Sequence, residues 1–398
     1  MRDYRGEVGR VLIGFCLVAA FVMSDREAMG QARREDGGGR GAVGIPSVLL
    51  REAPVIQMPG AEDFQHEGYY RGSDSNNPAH WDGETFYLFN SWGHPWRSSG
   101  PDLFHLGTPV PVHLGKVNDR LPIWIESTWK DEDGTLYGTY HFEPDAVCVS
   151  NSHDKSVAKM GWIKSTDNGL YWEDLGFFLA ADPGAVRCDT VSPWAAGGYG
   201  AAVAFLDKNK EYFYFFADSY DSRLAEQGLL IARMRYADRN NPSGKVWKWY
   251  QGNWSEPGLG GHVTPIFPAE TDYHREGGRM FWGPVVHWNT YLDMYVMSLN
   301  HTIDKNMTQD GIYIAFNSDL SDPRGWTAPR MFLGRAGVPQ ATAGAQVFPE
   351  MTDLSWYAEV IGTGKGETDK LVGRTGRLFL GGQSRLEIIF LKPGEKLQ

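Results

Sequence analysis

One unit recurs along this chain: an apolar strand, a polar turn and an aromatic strand. Copies begin near residues 78, 122, 200 and 284, and a weaker fifth copy begins near residue 356. The spacings exceed the ~40–50 residues of the shortest propeller repeats, and long loops between strands account for the difference. The repetition predicts about five similar β-sheet units, in which only short pieces are helical.

A third strand, a polar turn and a tryptophan follow in several of these units. Residues 161–172 match the Asp-box hairpin, Ser-x-Asp-x-Gly-x-x-Trp, while residues 228–233 lead to Trp247 and residues 311–319 lead to Trp326. In such a turn the aspartate accepts backbone amides and the glycine supplies a positive φ. We therefore predict an all-β fold, a five-bladed β-propeller, with a two-sheet β-sandwich as the alternative.

The composition indicates a folded chain with many aromatic residues, and the net charge argues against one class of partner. Of 398 residues, 42% are hydrophobic and 13% are aromatic, so a sizeable core can form. The net charge is −11 and no long basic run occurs, which argues against nucleic acid as the main partner.

The amino-terminal residues are typical of an export signal. Arg2, Arg5 and Arg10 precede an apolar run at 11–23, which is too short to span a bilayer and is followed by small residues. We predict a signal peptide over residues 1–30, a flexible leader over residues 31–60 and one propeller domain over residues 61–398. The expected location is secreted or periplasmic, with no membrane association after signal removal. A buried amino-terminal strand or helix is the alternative.

The cysteines leave one question open. Cys16 lies within the signal, so Cys148 and Cys188 either form a disulfide or remain buried free thiols. No Cys-x-x-Cys pair is present, which excludes the usual structural zinc site. No cofactor is required by any motif, although carboxylates and carbonyls that converge on a propeller axis make a Ca²⁺ ion there possible.

The order of the strands within a blade predicts on which of two faces each candidate functional residue lies. The start of the first strand and the end of the second strand of a blade share one face, whereas the hairpin between strands three and four lies on the opposite face. Asp167 and Asp319 in those hairpins are therefore expected to be structural. Carboxylates, imidazoles and indoles are expected on the first face, and Asp218 is among the carboxylates. The catalytic candidates are Asp74, Glu126, Glu143 and Glu226, and the substrate-binding candidates are Trp92, His141, Trp282, His287 and Asn300.

This combination suits cleavage of a glycosidic bond. One carboxyl group protonates the leaving oxygen, while another activates water or attacks the anomeric carbon. Indoles offer flat apolar faces to sugar rings. Each residue also has a structural interpretation: a tryptophan can pack within a blade, a strand histidine such as His287 can be a hydrogen-bonded core residue, Glu126 can pair with an arginine, and Glu143 can cap a turn.

The chain resembles the five-bladed propeller glycoside hydrolases of families 43, 62, 32 and 68 over about residues 65–390. Asp74, with Pro78 four residues on, resembles the acidic base or nucleophile that precedes the first strand in those enzymes. Trp282 stands before Gly283-Pro284 where the family has its proton-donating glutamate, and residues 197–203 carry no carboxylate.

The resemblance implies a secreted glycoside hydrolase acting on a polysaccharide or oligosaccharide. Asp74 would be the general base or nucleophile, Glu126 would orient and tune it, and Glu143 would be the general acid, with Glu226 as the second candidate. The alternative is a non-catalytic propeller that binds a glycan or a cell-surface partner through the same face.

Overall fold

Five antiparallel sheets form the body of the protein. The computed structural model describes residues 44–59, 73–115, 122–146, 155–338 and 345–397. Two short 3-10 turns lie at Leu224–Glu226 and Tyr236–Asp238, and no α-helix occurs within the described ranges. Nothing helical in those ranges is long and apolar enough to cross a membrane.

Each blade has four antiparallel strands, and the first three blades follow one another along the chain. A short parallel pairing of residues 195–198 with residues 156–158 joins the second blade to the third. Blade one contains β2 (Ala79–Asp82), β3 (Thr85–Ser91), β4 (Pro95–Gly100) and β5 (Val110–Pro111). Blade two contains β6 (Ile123–Lys130), β7 (Leu136–Phe142), β8 (Ser156–Ser165) and β9 (Glu173–Ala180). Blade three contains β10 (Ala195–Leu206), β11 (Tyr212–Ser219), β12 (Gly228–Arg235) and β13 (Val246–Tyr250), and two short strands join it: β14 (Asn253–Pro257) and β15 (Phe267–Pro268).

The last two blades complete the set. Blade four contains β16 (Met280–Asn289), β17 (Met294–Thr302), β18 (Gln309–Asn317) and β19 (Arg330–Gly334), and the short β21 (Leu371–Val372) lies beside β16. Blade five contains β20 (Ala358–Gly362), β22 (Thr375–Leu380), β23 (Gln383–Leu391) and the amino-terminal strand β1 (Ser47–Gln57). These starts agree with the repeat in the sequence, and the fold is the predicted five-bladed β-propeller.

A separate layer of buried side chains packs between each pair of neighbouring blades, including the last and the first. These five layers close the ring. Representative pairs, in blade order, are Phe89 with Ile123, Trp162 with Phe215, Phe216 with Met297, Ile314 with Leu378, and Phe379 with Phe86. The Trp162 and Phe215 rings meet edge to face at 5.6 Å, a favoured aromatic geometry.

Strand β1 corrects the expected leader. Residues 31–60 are predicted to be flexible, yet Ser47–Gln57 pairs antiparallel with β23 and supplies the outer strand of blade five. Leu50 is 3% exposed and packs in the layer between blades four and five. The strand is ordered because the carboxy-terminal blade has only three strands of its own. The predicted signal, residues 1–30, lies outside the described residues.

The hairpin between β8 and β9 shows why its residues were predicted to be structural. Asp167 Oδ1 accepts the amides of Leu170 and Tyr171, each at 3.0 Å, and the Ser165 hydroxyl at 2.7 Å. Trp172 is buried beneath the turn. Because β7 and β8 run antiparallel with Leu136 opposite Ser165, this hairpin lies at the end of the blade away from Phe142.

One cysteine, Cys188, lies within the described residues. Cys188 is disulfide-bonded. The other two cysteines of the chain, Cys16 and Cys148, lie outside the described residues.

Candidate active site

One pocket of about 380 Å³ receives side chains from all five blades. It lies where the first strand of each blade begins and the second strand ends, as the blade topology predicts. Its lining residues are Asp74 from blade one; Trp124, His141 and Glu143 from blade two; Trp194, Ala195, Ala201, Asp218 and Tyr220 around blade three; Tyr273, Trp282 and Met307 around blade four; and Trp356 and Tyr357 before blade five.

Asp218 is the most deeply buried carboxyl group in this lining. It lies at the end of β11, is 0% exposed, and accepts the Gly283 amide at 3.0 and 3.2 Å on its two oxygens. Burial raises the pKa of Asp218 well above its usual range, and the charge of Glu126 adds to the rise, while the Gly283 amide opposes it. Asp218 therefore keeps its proton to a higher pH than an ordinary aspartate.

The approach of Gly283 to Asp218 depends on its backbone conformation. Gly283 has φ +59°, in the left-handed region, and a Cβ at this position would lie 3.2 Å from Asn300 Oδ1. The residue is thus placed to donate its amide into the pocket wall while Asn300 packs behind it.

A buried histidine links two carboxylates in blade two. His141 Nδ1 lies 3.5 Å from Glu126 Oε1, and His141 Nε2 lies 3.3 Å from Glu143 Oε1. Burial disfavours the imidazolium, but the two flanking carboxylates outweigh it and raise the pKa of His141 to about 10. His141 is therefore cationic at neutral pH, and it holds Glu143 at the edge of the pocket.

The segment that carries Asp74 is fixed by buried carboxylates from three places. The Asn76 amide and side chain donate to Glu126 Oε2 at 3.2 and 3.1 Å. The Asn77 amide donates to Glu359 at 2.8 Å, and the Ala79 amide donates to Asp369 at 2.9 Å. These contacts tie the start of β2 to blades two and five, so Asp74 is held in place by its neighbours along the chain.

Glu359 is itself an unusual group. It is 1% exposed in β20, and burial raises its pKa above the ordinary carboxyl range, with the charge of nearby Asp369 adding to the rise. Lys370 Nζ pairs with Asp369 at 2.9 Å, and its charge opposes part of the rise in the pKa of Glu359.

A chain of aromatic rings forms one wall of the pocket. Trp356 meets Trp194 and Trp282 edge to face, each at 5.6 Å between ring centroids. Trp282 also contacts Tyr357 at 5.7 Å. Trp194 is 47% exposed, so this wall extends from the buried interior to the surface. Flat apolar faces of this kind suit the C–H faces of sugar rings.

Known proteins resemble this chain in structure. No protein-family model matches the chain, and no curated protein matches it either. A thermostable family-43 glycoside hydrolase is similar at 12% identity and TM-score 0.46, over 81% of this chain and 94% of that one. The catalytic domain of the Coprinopsis cinerea family-62 α-L-arabinofuranosidase is similar at 8% identity and TM-score 0.45, over 88% and 97%.

An enzyme of another specificity is similar to the same extent. The exo-β-1,3-galactanase of Phanerochaete chrysosporium has 12% identity and TM-score 0.44, over 86% of this chain and 63% of that chain. The families are among those that the sequence resembles.

Four of the predicted residues line the pocket and one lies directly behind it. Asp74, Glu143, His141 and Trp282 are in the lining, and Glu126 contacts His141 from below. Trp92 lies in the turn after β3, at the same end of blade one as Asp74, but it is not in the lining.

Three predicted residues are placed elsewhere. Glu226 is buried in the 3-10 turn after β11, where it pairs with Arg223 at 3.0 Å and with His262 at 2.9 Å. His287 is buried in β16 against Phe390, where burial lowers its pKa to about 3 and keeps it neutral. Asn300 is 0% exposed and accepts the Ala358 amide at 3.1 Å. These are structural roles.

Within the part of the chain that the structure describes, no group of three or more His, Cys, Asp or Glu side chains is arranged to hold a metal ion. The Ca²⁺ ion on the propeller axis, for which the sequence also invokes backbone carbonyls, stays a prediction.

Proposed function

We propose that this protein is a glycoside hydrolase that uses the carboxyl groups of its five-blade pocket. The observation that carries the proposal is the contrast between Asp218, buried and with a raised pKa, and Asp74, half-buried on a fixed segment of the same pocket. Glycosidic cleavage needs one carboxyl group that holds a proton for the leaving oxygen and a second that activates water or attacks the anomeric carbon. The raised pKa of Asp218 suits the first role, and Asp74 is the second carboxyl group in the same pocket.

In this mechanism Asp218 donates the proton to the leaving oxygen. Asp74 acts as the base that activates water or as the nucleophile that attacks the anomeric carbon. Glu143 lies 3.3 Å from His141 at the edge of the pocket, so we place it as a second base or as a residue that orients the sugar. The sequence predicts Glu143 as the acid, and the dependence of activity on the leaving group distinguishes Glu143 from Asp218 in this role.

The test begins with the purified mature chain on plant, algal and microbial polysaccharides and on a panel of 4-nitrophenyl glycosides. Asp74→Asn, Asp218→Asn and Glu143→Gln keep side-chain shape. General acid–base help is typically worth ~10²–10⁴-fold, so loss of the acid or the base should lower turnover by about that much. Glu226→Gln, outside the pocket, is the matched control and should retain activity.

A comparison of substrates with different leaving groups shows which residue is the general acid. A 4-nitrophenyl group departs without much protonation, so a variant that lacks the acid should lose far more activity on the polysaccharide than on the aryl glycoside. We expect this pattern for Asp218→Asn and an equal loss on both substrates for Asp74→Asn. The same pattern in Glu143→Gln would return the acid role to Glu143, and full activity in Asp218→Asn would remove that residue from the mechanism.

A binding function is the second candidate, and one feature favours it. Ala201 and Trp282 line the pocket at the places where the resembled enzymes carry carboxylates, and Ala201 has φ +46°, a strained conformation for a non-glycine residue. If no glycan in the panel is cleaved but one binds in the pocket, the protein is a glycan-binding propeller.

Export is part of the proposal. The basic and apolar pattern of residues 1–30 supports it. Protein recovered outside the cytoplasm should begin close to residue 31, and an intact amino terminus there would contradict a cleaved signal.

A further inference from the structure

A second pocket, of about 300 Å³, lies on blade three at the end remote from Asp218. Strand β11 runs from Tyr212 to Ser219, so Tyr212 in this pocket and Asp218 in the candidate active site are at opposite ends of one strand. Its lining includes Tyr212, Arg233, Arg235, Lys245, Trp247 and Trp254. We call this the blade-three pocket.

The blade-three pocket is positively charged on an acidic protein. Arg233, Arg235 and Lys245 line it, and the one lining carboxylate, Asp238, pairs with Lys245 at 3.1 Å. Among the described residues, no carboxylate forms an ion pair with Arg233 or Arg235. The chain as a whole carries a net charge of −11, so this local excess of two positive charges stands out from its surroundings.

Aromatic rings hold one of the guanidinium groups in position. Arg233 lies between the rings of Tyr212 and Trp254, 4.4 and 4.6 Å from their centroids. Its planar fork is therefore pre-organised, with hydrogen-bonding edges that no protein carboxylate uses. Arg235 lies opposite Tyr212 in the β11–β12 pairing and is exposed.

An exposed indole stands beside this guanidinium. Trp247 lies directly opposite Arg233 in the β12–β13 pairing, and opposite residues of an antiparallel pair project from the same face of a sheet. Trp247 is 45% exposed, although tryptophan usually buries most of its ring. Arg233 also hydrogen-bonds the Tyr214 hydroxyl, while neither guanidinium group is paired with a carboxylate of the described residues. A flat apolar face and two cationic guanidinium groups thus line one pocket.

We propose that the blade-three pocket binds an anionic saccharide, a sugar residue that carries a carboxylate or a sulfate group. The guanidinium groups of Arg233 and Arg235 bind the anionic group through paired hydrogen bonds, which is the geometry that arginine favours. The indole of Trp247 packs against the C–H face of the sugar ring. An acidic peptide would satisfy the arginines but supplies no flat ring for Trp247, so the saccharide fits better. This site is separate from the candidate active site and goes beyond the proposed hydrolysis.

The experiment measures binding by calorimetry to the full mature chain. The probes are trigalacturonic acid, its fully methyl-esterified form as the uncharged match, a sulfated galactan oligosaccharide and a hexaglutamate peptide. Trigalacturonate or the sulfated probe should bind, and added salt should weaken the binding because charges carry it. Loss of a charge-assisted hydrogen bond should raise the dissociation constant about tenfold or more in Arg235→Gln. Trp247→Ala should weaken binding similarly.

Matched controls separate this site from the rest of the surface. Arg324→Gln removes an exposed arginine elsewhere, and Asp74→Asn alters the candidate active site, so both should bind as the parent does. Binding of one anionic probe alone supports the site and shows whether carboxylate or sulfate is its ligand. Equal binding of the methyl ester, equal binding of hexaglutamate, no effect of Arg235→Gln and Trp247→Ala, or no binding of either anionic saccharide would overturn the proposal. None of these outcomes depends on whether the protein cleaves glycans.

Discussion

At the scale of single residues, the buried carboxyl group of Glu359 makes the stability of the fold depend on pH. Glu359 keeps its proton in the folded state above the ordinary carboxyl range because it is buried beside Asp369. The folded state thus binds more protons than the unfolded state, and stability from this group falls as pH rises above about 4.5. Glu359→Gln removes the titration and keeps an oxygen for the Asn77 amide.

We expect thermal unfolding of the parent to shift to lower temperature from pH 5 to pH 8, and Glu359→Gln to flatten that dependence. A difference of one pKa unit corresponds to about 1.4 kcal/mol, which is measurable in a protein of this size. Glu84→Gln, an exposed glutamate, is the control and should follow the parent. Parallel curves for the parent and Glu359→Gln would mean that Glu359 is ionised throughout.

The sequence predicted which residues line the pocket only where strand position decides their location. Asp74, His141, Glu143 and Trp282 follow from the rule that first-strand starts and second-strand ends meet. Glu226 lies outside the lining, in the loop after β11, where it pairs with Arg223. Strand order does not determine the path of such a loop. The burial of Asp218 could not be predicted either, because no residue near it in the sequence shows that it is more deeply buried than Asp74.

At the scale of elements, the β8–β9 hairpin depends on one side chain. Asp167 accepts two amides and a hydroxyl, and no other side chain replaces it in that turn. Asp167→Ala leaves these donors without their acceptor, and we expect a loss of about 1–3 kcal/mol in the free energy of unfolding. Glu173→Ala removes a surface ion pair with Lys164 in the same hairpin and should cost under about 1 kcal/mol. Denaturant titration compares the two, and equal losses would show that the turn is held by its backbone alone.

Elements that are local in sequence were predictable and those that join distant segments were not. The hairpin at Ser165–Trp172 has its donors and acceptor within eight residues, so the motif contains its own explanation. Strand β1 has its partner more than 300 residues away, in β23. Its alternation is interrupted by a bulge between Glu52 and Ile56, so no pattern within residues 47–57 shows that blade five needs it.

At the scale of the whole molecule, β1 joins the two ends of the chain and closes the propeller. Its inward face carries Leu50, 3% exposed between blades four and five, while Val55 in the same strand is 59% exposed. Removing buried methyl groups costs the transfer free energy plus the cavity left behind, so Leu50→Ala should lower the free energy of unfolding by about 2–5 kcal/mol. Val55→Ala, the matched change, should cost under about 0.5 kcal/mol.

Deleting the chain through Gln57 should have a larger effect, because β23 then becomes an exposed edge strand and tends to aggregate. Circular dichroism and tryptophan fluorescence on heating report the whole ring and its aromatic layers. A deletion variant as stable and monomeric as the parent would show that blade five holds with three strands and that the ring closes without β1.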